Sequence, residues 1–326
     1  MLEVLTPGFL STVQDAGRTA YADLGVPQAG ACDPLALAVA NGLLGNPPGA
    51  PALEITVVGP ELRALTTCVV ALAGADLGAY LLEEARDLLA GGAYLLRRGA
   101  TLAFRGGQGA RAYLALPGGI AVPQVLGSAS TYLASGLGGL DGRALRAGDR
   151  LIPARPGDLS AAGCLWPNHI DLATEPTVRV LPGPHVAHFA PDALASLLST
   201  AWTVGPQSDR MGLRLIGPLL AHSAPSEAEI LSQGIVWGAI QVPADGQPIL
   251  LLADHQTTGG YPVLAVAARA DWPLLGQLAP GSSVRFALTT LDEAQAAYRE
   301  QQAGLRATAA EVTQPDLWER LLRSAE

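Results

Sequence analysis

The sequence predicts a mainly β fold built from two similar halves. Apolar segments are short and bounded by turn residues, as in Val69–Ala73 and Ala112–Leu116, and this pattern indicates buried strands rather than long helices. The chain contains 38 Gly and 25 Pro, so turns are frequent. In addition, several short patterns occur in the same order in both halves, which predicts a tandem duplication.

Four matched segments carry the internal repeat. In chain order the pairs are Val4–Gly8 with Val180–Gly183, Gly25–Asp33 with Gly205–Asp209, Val57–Leu62 with Leu215–Leu220, and Leu145–Leu151 with Leu278–Val284. The turn-rich stretch 153–175 separates the halves. We therefore predict β domains over 1–165 and 175–290, each a barrel or a sandwich, followed by a helical tail over 291–326.

A few short helices have recognisable ends. Asp33 is a suitable N-cap and Pro34 suits the first helical position, so the first helix begins there and ends before Gly45. The other predicted helices run from Asp192 to Ser199, from the capping box of Thr290 and Glu293 to Arg299, and from Asp316 to Arg323.

All 20 basic residues are arginine, and the chain has no lysine. This composition excludes a P-loop lysine, a Schiff-base lysine, covalently attached biotin and the Ser-Ser-Lys triad of amidase-signature hydrolases. With a net charge of −9 and no basic cluster denser than Arg97-Arg98, nucleic acid is not an expected partner.

Membrane insertion and secretion are not expected either. The longest uncharged stretch, 112–140, is interrupted by prolines and glycines, which a membrane-spanning helix would not favour. The N-terminus has no signal-peptide pattern. Cys32, Cys68 and Cys164 lie far apart and predict neither a disulfide framework nor a metal site. We expect a cytoplasmic protein.

The strongest candidate site is the loop that follows the apolar run Ile249–Ala253. Asp254 and His255 are candidate proton-transfer groups. Thr257 and Thr258 could stabilise an oxyanion or a phosphate together with a nest of backbone N–H groups at the two glycines. The alternative is a packed loop that satisfies its own backbone. The candidate residues are Asp254, His255, Gln256, Thr257, Thr258, Gly259, Gly260 and Tyr261.

A second candidate cluster, Gln14, Asp15 and Arg18, could bind a carboxylate or a phosphate through the guanidinium. The alternative is a local pair between Asp15 and Arg18 that holds a turn.

A third cluster is Ser208, Asp209 and Arg210. Three consecutive polar residues cannot all face one core, so at least one faces solvent or a site. The alternative is a structural ion pair of Asp209 with Arg210 or Arg214.

The remaining cysteine and histidine residues predict little chemistry. Cys32 is interpreted as a small apolar filler rather than a nucleophile. His185 and His188 lie three residues apart without a third ligand at metal spacing, so no zinc site is predicted.

Longer motifs resemble the KipA family, also called the C subunit of prokaryotic 5-oxoprolinase (PxpC) or allophanate hydrolase subunit 2. The resemblance spans about residues 1–290. The matching motifs are Thr12–Arg18, Leu24–Pro27, Ala52–Thr56, Ser208–Leu215, Gly238–Pro243, Asp245–Pro248 and Asp254–Pro262. Departures from the family pattern occur at Cys32, Trp237 and Val263.

The resemblance implies two tandem cyclophilin-like β-barrel domains. It also implies a subunit of an ATP-dependent 5-oxoprolinase, with ATP, and Mg²⁺ with it, used by the complex. The implied partners are a B subunit similar to KipI (PxpB) and an A subunit (PxpA). Two alternatives remain open: a carboxyltransferase subunit of a biotin-dependent system similar to urea carboxylase, and a non-enzymatic partner of a KipI-type kinase inhibitor.

Overall fold

The structure, a computed structural model, describes residues 1–155, 159–167 and 175–312. The chain separates into two compact units. The first comprises Met1–Arg18, Asp33–Asp171 and Gln302–Glu326, and the second comprises Thr19–Cys32 and Leu172–Gln301. The domain limits drawn from the sequence stay a prediction, and part of the boundary stretch 153–175 lies outside the described residues.

The first unit is built on two antiparallel sheets. Their strand orders are β11-β1-β4-β9-β6-β7 and β2-β3-β10-β5-β8. The strands are β1 (Leu2–Thr6), β2 (Leu10–Gln14), β3 (Ala52–Thr56), β4 (Glu61–Ala64), β5 (Cys68–Asp76), β6 (Ala79–Leu81), β7 (Arg86–Leu88), β8 (Gly92–Leu96), β9 (Thr101–Phe104), β10 (Gln108–Ala115) and β11 (Arg150–Leu151).

The second unit contains a closed barrel of order β12-β19-β16-β17-β14-β13-β20, together with a separate two-stranded sheet of β15 and β18. The strands are β12 (Thr177–Pro182), β13 (Trp202–Val204), β14 (Gly212–Ile216), β15 (Gln233–Gly234), β16 (Ala239–Gln241), β17 (Ile249–Leu251), β18 (Thr258–Gly259), β19 (Val263–Ala267) and β20 (Ser283–Leu288). The prediction of a mainly β protein with barrel architecture is confirmed.

Helix α1 (Pro34–Gly42) begins as the sequence predicts. The Asp33 carboxylate accepts a hydrogen bond from the Ala36 N–H at 2.9 Å, and Pro34 occupies the first helical position, where its missing N–H removes no helical bond. The helix packs on β5 and β10 with Leu37 and Val39 buried. The N-cap therefore fixes the start of the helix that covers this sheet.

Two further predicted helices are present. Helix α2 spans Ala193–Ser199. Helix α4 begins at Leu291 with the expected capping box, in which Thr290 and Glu293 exchange hydrogen bonds of 2.9 and 3.3 Å. It continues to Val312 rather than ending at Arg299, because one internal Gly costs only about 1 kcal/mol in a run of good helix formers.

A short helix, α3 (Trp272–Gly276), has no counterpart among the predicted helices. The helix predicted over Asp316–Arg323 lies outside the described residues. Across 1–155, 159–167 and 175–312, no helix is long and apolar enough to span a bilayer.

The closing turns of the two halves share one geometry. Gly148 and Gly281 both have φ of +89°, and the turns close through N–H to O=C bonds from Asp149 to Arg146 and from Ser282 to Ala279. A glycine with positive φ at the third position is typical of a type II turn. The strand after each turn pairs with the first strand of its half, antiparallel for β11–β1 and parallel for β20–β12. The two halves therefore have the same type of closing turn, but the strand after it runs antiparallel to the first strand in one half and parallel to it in the other.

The capping bond of Asp33 leads to a stability prediction. Asp33→Ala should lower the free energy of unfolding by about 1 kcal/mol, because the first turn of α1 loses its side-chain acceptor. Urea unfolding followed by circular dichroism measures this loss. The matched control is Asp192→Ala, since Asp192 precedes α2 without a side-chain capping bond. Equal losses in both variants would contradict the prediction.

Candidate functional site

The candidate loop begins at a turn that is hydrogen-bonded to the two residues just before β14. After β17, the Leu252 N–H donates to the Met211 carbonyl and the Asp254 N–H donates to the Arg210 carbonyl, each at 2.9 Å. Asp254 and His255 are 5% and 9% exposed. The first two residues of the loop are therefore buried against the barrel rather than exposed in a solvated turn.

Arg210 and Asp254 form a buried bidentate ion pair. Nε of Arg210 lies 2.9 Å from Oδ2 of Asp254, and Nη2 lies 2.8 Å from Oδ1. Arg210 also donates to the Gly30 carbonyl at 2.7 Å and to Sγ of Cys32 at 3.3 Å. Because these contacts engage Nε and both terminal nitrogens, we infer that Arg210 positions the loop rather than binding a ligand. Sequence reasoning missed Gly30 and Cys32 as partners, because 180 and 178 residues separate them from Arg210.

An apolar cluster lies beside this ion pair, since it contains Cys32, which contacts Arg210, and Ala253, which precedes Asp254. Cys32, Ala253 and Trp237 pack together with Trp272, and the two indole rings stack with centroids 4.1 Å apart. Burial in such surroundings strengthens the attraction between two opposite charges and raises the free-energy cost of a charge that has no partner. The interpretation of Cys32 as a filler thus omits its contact with the guanidinium.

His255 is held in one tautomer. Its Nδ1 lies 2.7 Å from the Gln256 carbonyl, which can only accept, so Nδ1 carries the proton and Nε2 keeps its lone pair. Burial lowers the pKa of His255 from its ordinary value of 6.5, although the Gln256 carbonyl and Asp254 oppose this shift. The imidazole is therefore neutral at pH 7, and Nε2 can accept a proton.

The middle of the loop faces solvent. Gln256, Thr258 and Tyr261 are exposed and Thr257 is half-buried. Within the part of the chain that the structure describes, neither threonine hydroxyl forms a hydrogen bond, so both can bind a ligand. The backbone is nevertheless fixed, since the Ile235 N–H donates to the Thr257 carbonyl at 3.0 Å.

Neither of the two glycines forms a nest, and Gly260 packs closely against the backbone of Ile230. Gly259 lies in β18 and pairs with Gln233 of β15, and neither glycine has the positive φ that such a nest needs. A Cβ at Gly259 would lie 2.4 Å from the Gln256 amide, and one at Gly260 would lie 2.6 Å from the Ile230 carbonyl. The expectation of an anion-binding nest at these residues is therefore wrong.

Ser208 and Asp209 brace the turn between β13 and β14. The Ser208 hydroxyl accepts from the Arg214 N–H at 2.9 Å, and the Asp209 carboxylate accepts from the Met211 N–H at 2.7 Å. None of the ion pairs among the described residues joins Asp209 to Arg210 or Arg214, so that expectation is wrong. The Asp209 carboxylate finds its hydrogen-bond donor in a short Asx turn. Arg210 pairs instead with Asp254.

The cluster of Gln14, Asp15 and Arg18 lies in the first unit and is buried. The Asp15 carboxylate accepts from the Gly17 and Ala129 N–H groups at 2.8 and 2.6 Å, and also from the hydroxyls of Ser128 and Ser130.

The other two members of the cluster bind the same stretch of chain. Arg18 donates to the carbonyls of Val125 and Ser130, and Gln14 donates to the Thr131 carbonyl at 3.1 Å. This geometry indicates that the cluster anchors residues 125–131, and its proposed ligand-binding role stays a prediction. Sequence reasoning missed the serines, although Gly127 followed by Ser-Ala-Ser-Thr marks a polar segment.

Comparisons with known proteins extend these observations. Residues 24–288 match the family described as carboxyltransferase domain, subdomain A and B. The chain is 40% identical to the C subunit of the Escherichia coli 5-oxoprolinase, over 93% of this chain and 96% of that protein. It is 35% identical to the protein of the same name from Haemophilus influenzae, with the same coverage.

A solved structure is similar as well. The crystal structure of the K. lactis urea amidolyase superposes with a TM-score of 0.87 at 30% identity and covers 94% of this chain. The chain corresponds to only 20% of that protein. The similarity therefore concerns one portion of a much longer enzyme.

The buried ion pair predicts a large effect on stability. Arg210→Met should lower the free energy of unfolding by about 3–5 kcal/mol, because the Asp254 carboxylate stays buried without its counter-charge. Urea unfolding measures the change. Arg210→Met/Asp254→Leu should lose less than Arg210→Met alone, since it leaves no unpaired charge.

The matched control for this prediction is Arg63→Met. Arg63 pairs with Glu3 at 2.6 Å on the surface, where such pairs contribute about 0–1 kcal/mol. The prediction fails if the losses at Arg63 and Arg210 are equal.

His255 predicts a pH dependence of stability. Its folded pKa lies below 6.5, so the unfolded chain binds more protons than the folded chain below about pH 6.5. The free energy of unfolding should therefore fall as the pH decreases through 6.5, until the folded pKa is reached. Urea midpoints measured from pH 8 to 5 should decline less steeply in His255→Asn. Parallel pH curves for the two proteins would rule out this contribution.

Proposed function

Because the chain belongs to the carboxyltransferase-domain family of subdomains A and B, we propose that it is a subunit of an ATP-dependent 5-oxoprolinase complex. The reaction is the hydrolysis of 5-oxo-L-proline to L-glutamate. The near full-length match to two bacterial proteins of that name supports the substrate class. The structural observation that supports this function is the candidate loop. There the neutral imidazole of His255 and the hydroxyls of Thr257 and Thr258 are available to hydrogen-bond a substrate.

The chemistry explains why ATP is needed. Amide resonance makes a lactam carbonyl a poor electrophile. Transfer of a phosphoryl group from ATP to the lactam oxygen activates the carbon, and water then attacks it. The C–N bond breaks while the nitrogen takes a proton, and hydrolysis of the resulting acyl phosphate releases phosphate and glutamate. Such a path needs a proton acceptor for water and donors for a developing oxyanion.

The loop supplies groups of both kinds. Nε2 of His255 takes the proton from the attacking water, since its tautomer leaves this lone pair available. The hydroxyls of Thr257 and Thr258 donate to the oxygen that gains negative charge. Arg210 and Asp254 act indirectly by holding the start of the loop.

The complex completes the reaction. We assign the binding of ATP, with Mg²⁺, to the assembled complex rather than to a particular residue of this chain. The partners are a KipI-like B subunit and an A-type subunit, and the complex is cytoplasmic.

One observation favours a second function. The similarity to the urea amidolyase structure, with a TM-score of 0.87, suits a carboxyltransferase subunit that receives biotin carried on another protein. The same hydroxyls would then stabilise the enolate-like oxygen of biotin. The absence of lysine requires that the biotin arrive on a partner.

Reconstitution tests the proposed function. The chain is purified with its B- and A-type partners, and glutamate formation from 5-oxoproline is measured with and without ATP. Turnover that requires ATP and all three subunits is the expected result. Carboxyl transfer from carboxybiotin without glutamate formation would favour the second function. Neither activity, combined with tight binding of the B-type partner, would favour a non-enzymatic partner.

The loop residues predict specific losses in that assay. Thr257→Ala/Thr258→Ala should lower kcat about 10²-fold or more, because oxyanion donors are lost. His255→Asn should lower kcat about 10²- to 10⁴-fold, because a proton acceptor is lost. The matched control is Thr203→Ala, an exposed threonine of β13, which should keep full activity. Full activity in the loop variants would exclude these roles.

A further inference from the structure

A histidine side chain replaces a backbone acceptor at the end of the candidate loop. Val263, the first residue of β19, donates its N–H to Nδ1 of His185 at 3.0 Å. The His185 N–H donates in return to the Val263 carbonyl at 3.3 Å. The backbone pairing of β12 with β19 ends at Pro182 and Ala265. The two hydrogen bonds between His185 and Val263 extend it, and in one of them the imidazole takes the place of a backbone carbonyl. The point where the loop joins the barrel therefore depends on this side chain.

The other ring nitrogen of His185 reaches the strand that pairs with the loop. Nε2 lies 2.7 Å from the side-chain amide nitrogen of Gln233. Because Nδ1 accepts a hydrogen bond from the Val263 N–H, the neutral ring carries its proton on Nε2. An amide nitrogen and oxygen exchange places by a flip, so we assign the Gln233 amide with its oxygen facing Nε2, where it accepts this proton's hydrogen bond. Gln233 also pairs through its backbone with Gly259. One imidazole thus connects the end of the loop to the strand beside its middle.

The opposite side of the loop end is held by β16. The Gln241 amide donates to the Tyr261 carbonyl at 3.3 Å, and the Val242 N–H donates to the Pro262 carbonyl at 3.0 Å. These bonds involve no titratable group. His185 is therefore the pH-sensitive member of the contacts that fix residues 261–263.

We propose that neutral His185 is a positioning residue for the candidate site, and that its protonation releases the end of the loop. A proton on Nδ1 removes the acceptor of the Val263 N–H and leaves two donors facing each other. The effect on catalysis rests on the proposed function, whereas the effect on the loop does not.

The surroundings favour the neutral ring. Burial and the neighbouring His188 lower the pKa of His185. The two rings meet edge to face with centroids 5.5 Å apart, and Nδ1 of His188 lies 2.6 Å from Oε2 of Glu227. The groups that face His185 are thus His188 on its own segment, Gln233 on β15 and the backbone of β19, with Glu227 reached through His188. Release of the loop end is expected below pH 6.5.

Hydrogen exchange tests the positioning role in the isolated chain. At pH 8, His185→Ala should exchange the Val263 amide about five- to tenfold faster, because one hydrogen bond is lost. His185→Asn should restore most of the protection, since its amide oxygen can accept the same N–H. Gln233→Ala should mainly affect residues 258–259. After correction for the intrinsic pH dependence, wild-type protection at Val263 should decrease below pH 6.5, and that of His185→Asn should not.

The reconstituted complex provides the second measurement. His185→Ala should lower kcat and remove the fall of kcat at acidic pH that protonation of His185 causes. In His185→Asn, kcat should recover to within about twofold of the wild-type value. Unchanged exchange in His185→Ala, or His185→Asn behaving like His185→Ala, would overturn the proposal. Faster exchange in His185→Ala without glutamate formation by any complex would support the positioning role and overturn the proposed function.

Discussion

The ion pair between Arg210 and Asp254 is the constraint on which the candidate site depends. Two charges buried at about 5% exposure are tolerated because two parallel N–H to O bonds satisfy them. The guanidinium also reaches the Gly30 carbonyl and Cys32. One side chain thus joins its own turn to two distant stretches of chain, residues 30–32 and Asp254, from which the loop starts.

The use of arginine at this position follows from geometry as well as composition. Only a planar fork can bind both oxygens of Asp254 while a further N–H reaches a carbonyl, and an ammonium group has no such fixed geometry. A chain without lysine loses lysine chemistry but keeps the cation suited to a buried bidentate pair. Its N–H groups are engaged by Asp254, Gly30 and Cys32, so we assign the contacts of the loop with a substrate to other polar groups of the loop.

Local features of this fold could be predicted from the sequence, and long-range ones could not. The N-cap at Asp33 and the capping box at Thr290 depend on residues three positions apart, so their chemistry is visible in a short window. The sequence left open an ion pair of Asp209 with Arg210 or Arg214, but a turn satisfies Asp209 locally and Arg210 pairs with a residue 44 positions away. Likewise, two adjacent glycines indicate that backbone freedom or space is needed, without indicating which.

The two ends of the loop are held by different physical means, and this difference explains how the site can be both fixed and available. At the start, a buried ion pair beside an apolar cluster holds Asp254. At the end, hydrogen bonds from His185 and β16 hold residues 261–263. Neither set uses the hydroxyls of Thr257 and Thr258 or Nε2 of His255. Groups that the fold has positioned but not satisfied can bind a charge that develops during a reaction without first breaking a protein contact, which is the condition for electrostatic preorganisation.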